Sequence, residues 1–157
     1  MKVVIVGGVA GGASAAARLR RLSEKAEIVI LERGEYVSFA NCGLPYHIGG
    51  EIKRRRDLLI ATPELFREQF NIDVRTGHEV TAIDRGGRSV RVTERLTGRE
   101  YDEPYDRLLL CQGAAPARPA LPGIDHPRIY SMRNIPDMDL VKKLVDGGAK
   151  TAVVVGA

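Results

Sequence analysis

KVVIVGGVAGGASAAARLRRL, from Lys2 to Leu22, is the stretch whose reading decides the fold. Lys2 to Val6 is a run of β-branched residues and predicts a buried strand. The glycines that follow punctuate the chain, and an Ala-rich segment from about Gly11 to Ser23 predicts a helix. Ala15, Leu19 and Leu22 share a stripe at helical spacing and are expected to face a sheet, while Ala13, Ala16 and Ala17 keep the helix thin. Glu27 to Leu31 is a second apolar strand. Two apolar strands joined by a helical crossover imply a parallel pair.

Around this unit the chain is punctuated throughout. Thr62 and Pro63 mark the N-cap and first turn of a helix ending near Phe70. Ile72–Arg75, Glu79–Asp84 and Ser89–Glu94 predict strands, with Gly86-Gly87 turning a hairpin between the last two. Tyr105–Cys111 has a continuous apolar end, as expected of a strand buried on both faces. Gly113, Pro116, Pro119, Pro122 and Gly123 break the pattern into an extended connector. Met138–Val145 then predicts a helix and Thr151–Val155 a strand running into Gly156 and Ala157. That end is read either as an ordinary terminal strand or as the opening of a second nucleotide-binding unit.

Composition excludes several classes. A 44% apolar and 28% charged chain of 157 residues is that of a globular domain and not of a disordered one. No apolar run approaches the ~18 residues that cross a bilayer, and no secretory leader pattern opens the sequence. Two cysteines cannot build a disulfide framework, so a reducing, cytoplasmic setting is expected. The net charge of +4 comes mostly from arginine and fits phosphate-bearing ligands. Aromatic residues are too few to interleave the one dense basic run, Lys53–Arg56, so nucleic acid is the weaker alternative. The scattered histidines and cysteines have no metal-ligand spacing.

Two constellations carry chemistry. Between the first strand and its helix stand Gly7, Gly8, Val9, Ala10, Gly11 and Gly12. The first glycine permits a tight turn, the last permits close helix–strand packing, and the amides of the helix start can receive a pyrophosphate. Val9 replaces the middle glycine of the usual G-x-G-x-x-G pattern. Glu32, ending the second strand, is placed to accept from ribose hydroxyls. The second constellation is SFANCGLPY, from Ser38 to Tyr46. Cys42 lies before a short predicted helix, a position that favours the thiolate, with Ser38 and Asn41 as polar neighbours. His47 stands where a C-x4-C pair would put its second cysteine, so Cys42 works as a single thiol.

The segment Gly7–Leu22, the pair Glu32-Arg33 and above all SFANCGLPYHIGG at Ser38–Gly50 resemble the flavin-dependent pyridine nucleotide-disulfide oxidoreductases. Within them the resemblance is to the single-cysteine branch of coenzyme A-disulfide reductases and NADH-dependent persulfide or polysulfide reductases. It implies an α/β, Rossmann-like FAD-binding domain with a parallel sheet, crossover helices and a small antiparallel meander. It also implies an FAD-binding segment over 1–114, a connector over 115–135 and the start of an NAD(P)-binding domain over 136–157. Gly7, Gly8, Val9, Ala10, Gly11, Gly12, Glu32, Arg33, Asn41, Cys42, Val80, Cys111 and Gly113 would then line FAD. Cys111 is unusual at that position, and the buried end of a strand is its plainer reading. Ser14, Arg18, Arg21, Ser38 and Asn41 would contact coenzyme A disulfide or persulfide, and Cys42 would be the redox nucleophile. Ser14, Arg18 and Arg21 also share one helix face by spacing alone, where a phosphate-rich ligand makes physical sense and solvated arginines are the alternative.

The complete enzyme, a homodimer using NAD(P)H, would reduce a sulfur substrate through FAD, and the 157 residues alone are expected to be inactive. The alternatives are an NADH oxidase or peroxidase cycling Cys42 through sulfenic acid, or a non-catalytic flavin- or nucleotide-binding fragment. Peroxidases and oxidases of this kind carry a histidine in the glycine turn, where this sequence has Ala10.

Overall fold

A computed structural model describes residues 1–156. They form two compact units, one of residues 1–39 and 59–113 and the other of residues 40–58 with the chain from 114 onward.

In the first unit, β1 (Lys2–Val6) is joined by α1 (Gly11–Leu22) to β2 (Glu27–Glu32). Then come α3 (Pro63–Phe70), β3 (Asp73–Thr76), β4 (His78–Asp84), β5 (Ser89–Glu94), β6 (Glu100–Pro104) and β7 (Arg107–Leu110). The second unit supplies α2 (Leu44–Gly49) and α4 (Ile135–Asp146).

β1, β2, β3 and β7 make one parallel sheet in the order β3-β2-β1-β7, and β4, β5 and β6 an antiparallel meander. Period-two alternation sorts the central strands into two cores. Val3, Ile5, Ile28 and Ile30 pack with Ala13 and Ala16 of α1 and Phe66 of α3. Val4, Val29 and Leu31 turn the other way, onto Val90 and Val92 of the meander. The result is three layers: helices, parallel sheet, meander.

Several expectations change in detail. The buried stripe of α1 is Gly12, Ala13 and Ala16 with Leu19 beside it, whereas Leu22 is 67% exposed. An Ala-rich helix has little contrast between its faces, and the tight contact at Gly12 sets its rotation. β7 is an edge strand paired only with β1, so Leu109 and Leu110 are exposed and not buried on both faces. β6, a charged segment, forms by pairing with β5. Thr151–Val155 is not a strand: it pairs with none of the described strands, and Val153, Val154 and Val155 are exposed. Ala157 lies outside the described residues.

In the second unit α4 begins at Ile135, ahead of the expected Met138. A capping box starts it: Asn134 accepts from the Asp137 amide, and Asp137 accepts from the Asn134 amide. α4 packs on α2 and buries Ile135 and Met138. A bidentate pair, Arg55 to Asp139 at 2.7 Å on each arm, ties the segment before Leu58 to this helix.

One buried carboxylate links the two sheets of the first unit. Glu103 on β6 accepts from Lys2 Nζ at 2.6 Å and from Arg75 Nη1 at 2.5 Å, and these donors sit on β1 and β3. Burial alone would raise its pKa, but the hydrogen bonds from Lys2 and Arg75 outweigh it and hold the carboxyl below its ordinary value of 4.5. A folded-state value below the unfolded one stabilises fully above pH ~4.5 and is lost as pH falls through the folded value. The Glu103→Gln variant is therefore expected to lose about 1–3 kcal/mol at pH 7. Its unfolding free energy should also fall less steeply than wild type as the pH drops below ~4.5. Parallel pH profiles for the two proteins in urea titrations would refute the assignment.

Candidate functional site

The turn between β1 and α1 is built by close backbone approach. Gly7 takes a left-handed φ of 93°, and a Cβ there would stand 2.3 Å from the Cys111 carbonyl oxygen. A Cβ on Gly12 would fall 1.8 Å from the Gly7 carbonyl oxygen, so no side chain fits at the start of α1. At Gly11 the same test meets only the Cys111 thiol at 3.5 Å, an ordinary contact. Gly11 is exposed, and its lack of a side chain leaves room for a ligand.

That space faces an open donor set. Ala10 is the N-cap of α1 and gives no side-chain cap, and no acidic residue occupies the first turn. The first amides of a twelve-residue helix therefore remain available to an anion. Glu32 braces the turn: Oε2 accepts from the Gly8 amide and Oε1 from the Gly34 amide, each at 2.8 Å. A carboxylate has about four acceptor sites, so two further hydroxyls can still be bound. Val9, the residue replacing the usual middle glycine, is half-buried and lines the cleft between α1 and α3. Arg33 is exposed beside Glu32.

Ser38 completes this side of the first unit. Its amide donates to the Gly8 carbonyl and its carbonyl accepts from the Ile60 amide, each at 2.9 Å. Between these two bonds its φ is 45°, a left-handed conformation that costs a non-glycine residue roughly 1 kcal/mol. Strain held by two main-chain hydrogen bonds and placed beside a cleft is a mark of a functional position. Ser38 and Ser14 both line that cleft, of about 460 Å³. Arg18 and Arg21 lie exposed further along α1 and make no ion pair among the described residues. Val80, on β4, is half-buried against the meander-side core. Cys111 is half-buried after β7, and Gly113 has a φ of 69°.

Asn41 and Cys42 belong to the second unit. They occupy a single 3-10 turn, Asn41–Gly43, that leads into α2. A Cβ on Gly43 would stand 2.8 Å from Leu58 and 3.2 Å from Ile52, so the turn is seated directly on apolar side chains. Cys42 itself is exposed. Its thiol can meet a sulfur electrophile from solution, whereas the Cys111 thiol is partly shielded.

Sequence reading does not find the left-handed clamp at Ser38, nor the α3 residues Leu65, Gln69 and Phe70 that wall the cleft. No local signal marks them, because both depend on long-range pairing.

The family described as pyridine nucleotide-disulphide oxidoreductase matches residues 1–157. The chain belongs to this family. A coenzyme A disulfide reductase of Staphylococcus haemolyticus is 43% identical over 157 residues, covering 99% of this chain and 35% of that protein. The reduced Bacillus anthracis CoADR-RHD superposes with a TM-score of 0.89 at 50% identity, over 92% of this chain and 26% of that one. An NAD-dependent persulfide reductase from A. fulgidus gives 0.90 at 33% identity, over 96% and 28%. The chain thus spans about a third of the length of the curated relative.

The geometry separates two glycines that look alike in sequence. Gly12→Ala is expected to lose the folded turn, costing about 3 kcal/mol or more, because its Cβ would meet backbone. Gly11→Ala should fold with nearly unchanged stability and, if the space above Gly11 holds a dinucleotide, bind it less tightly. Thermal melts together with cofactor titration check this, and equal stability losses for the two variants would refute it.

Proposed function

We propose that the chain is the FAD-binding and nucleophile-bearing part of a flavin-dependent NAD(P)H:disulfide or persulfide oxidoreductase. The observation that carries the proposal is the turn at Gly7–Gly12. Its uncapped helix amides, open Gly11 and braced Glu32 suit a dinucleotide pyrophosphate and its ribose. The donor set fits FAD. The amides at Ala10, Gly11 and Gly12 would hold the pyrophosphate, and the remaining acceptor sites of Glu32 the ribose hydroxyls, with Arg33 alongside. Cys111 and Gly113 would follow the cofactor's length, and Val80 would lie near its adenine. FAD supplies the two-electron relay between NAD(P)H and sulfur when it is bound.

The chain's own chemistry rests on Cys42. Its thiolate Sγ attacks one sulfur of coenzyme A disulfide, forming a mixed disulfide and releasing coenzyme A thiolate; with coenzyme A persulfide it takes the outer sulfur in the same way. Ser38 and Asn41 would hydrogen-bond the substrate beside Cys42. Ser14, Arg18 and Arg21 would take its phosphate-rich portion, since Arg binds phosphate through paired donors. The start of an NAD(P)-binding domain over 136–157, a homodimeric whole enzyme and a cytoplasmic location belong to the same reading.

Three measurements test it. FAD added to the 157-residue chain should lose fluorescence on binding, and Glu32→Ala should weaken that binding by about 1–3 kcal/mol. Iodoacetamide should alkylate exposed Cys42 well before half-buried Cys111, as read by peptide mapping. In a polypeptide with the complete family architecture, Cys42→Ser should abolish turnover of coenzyme A disulfide. Retained turnover, or first labelling at Cys111, would overturn the role of Cys42.

A further inference from the structure

Arg20 lies among the basic residues of α1, yet unlike Arg18 and Arg21 it is not a solvated charge. Its guanidinium donates to four main-chain carbonyls. Nε reaches Phe70 at 2.8 Å and Nη2 reaches Asn71 at 2.7 Å, both at the end of α3. Nη1 reaches Ser23 at 3.2 Å and Glu24 at 2.6 Å, just past the end of α1. One planar fork therefore satisfies orphan carbonyls at the C-termini of two helices and places its charge at the negative end of both dipoles. Among the described residues no other hydrogen bond joins α1 to α3.

These two helices wall the cleft of about 460 Å³ described above, with Ala13, Ser14 and Ala17 on one side and Leu65, Gln69 and Phe70 on the other. The α1 wall is small side chains, so on that side the width of the cleft is set by where the helix lies relative to α3. Ser38 pins the loop at the same cleft through Gly8 and Ile60.

We propose that Arg20 is a positioning residue that fixes the separation of α1 and α3, and through it the fit of the sulfur substrate in this cleft. The inference rests on the reading that Ser14 and Ser38 contact a coenzyme A-type substrate. Arg20 does not touch that substrate; its guanidinium is fully engaged with backbone.

The test compares Arg20→Lys and Arg20→Gln in a polypeptide with the complete family architecture. Steady-state rates with coenzyme A disulfide should show KM raised roughly tenfold for the Gln variant and less for Lys, whose point charge cannot span the four carbonyls. kcat and the KM for NADH should stay within about twofold of wild type. In the 157-residue chain, hydrogen exchange at the Asn71 and Ile72 amides, which close the end of α3, should quicken in both variants. A lowered melting temperature with unchanged KM for coenzyme A disulfide would overturn the proposal, as would kcat and both KM values deteriorating together. Calorimetry with coenzyme A itself separates the two readings. Wild type that binds coenzyme A no more tightly than the Gln variant defeats the role of Arg20 alone. Wild type that takes up no coenzyme A defeats the substrate reading and this inference with it.

Discussion

The contact between the backbone of Gly12 and the carbonyl of Gly7 governs the rest of the first unit. A single added carbon on Gly12 would stand 1.8 Å from that oxygen, so the helix can begin there only because Gly12 lacks a side chain. Once α1 starts there, Ala13 and Ala16 must face β1 and β2, and the free amides of its first turn must open beyond the C-terminal ends of the parallel strands. Open α/β sheets place their ligands at such ends. The proposed anion site is therefore a consequence of packing that would be needed even without a ligand.

Two other features extend the same logic. Glu32 spends one oxygen on Gly8 and the other on Gly34, so the group proposed to contact a ribose also holds the turn proposed to receive the pyrophosphate. Arg20 and Ser38 likewise work through main-chain atoms. Backbone-directed bonds of this kind locate helices and loops without consuming the exposed side chains that recognise ligands. Arg18, Arg21 and Ser14 are left open on the surface of α1 as a result.

The two cysteines show how environment separates identical chemistry. Cys111 follows an edge strand, with its sulfur against the glycine turn and its carbonyl against Gly7. Cys42 sits on a 3-10 turn whose glycine leaves no room above Leu58 and Ile52, and its thiol projects into solvent. The second unit supports that turn with its own packing, in which α4 lies on α2 and Arg55 grips Asp139.

By itself the sequence determined what is local: β1, the glycine turn, α1 and β2, the Thr62-capped helix, the Gly86-Gly87 hairpin and the short helix that follows Cys42. Each depends on periodicity, capping or turn geometry within a few residues. The capping box of α4 was equally present, at Asn134 and Asp137, although the apolar period alone points to a later start. Only the tertiary structure decided the pairings. The segment EYDEP, Glu100–Pro104, has poor strand propensity and becomes β6 because β5 offers a ladder and Lys2 and Arg75 neutralise buried Glu103. Thr151–Val155 has good strand propensity and forms none, because a strand needs a partner. The rotation of α1, the exposure of Leu109 and Leu110, the left-handed Ser38 and the engagement of Arg20 are undetermined locally for the same reason. A hydrogen bond between residues fifty apart leaves no mark on either one's immediate neighbours.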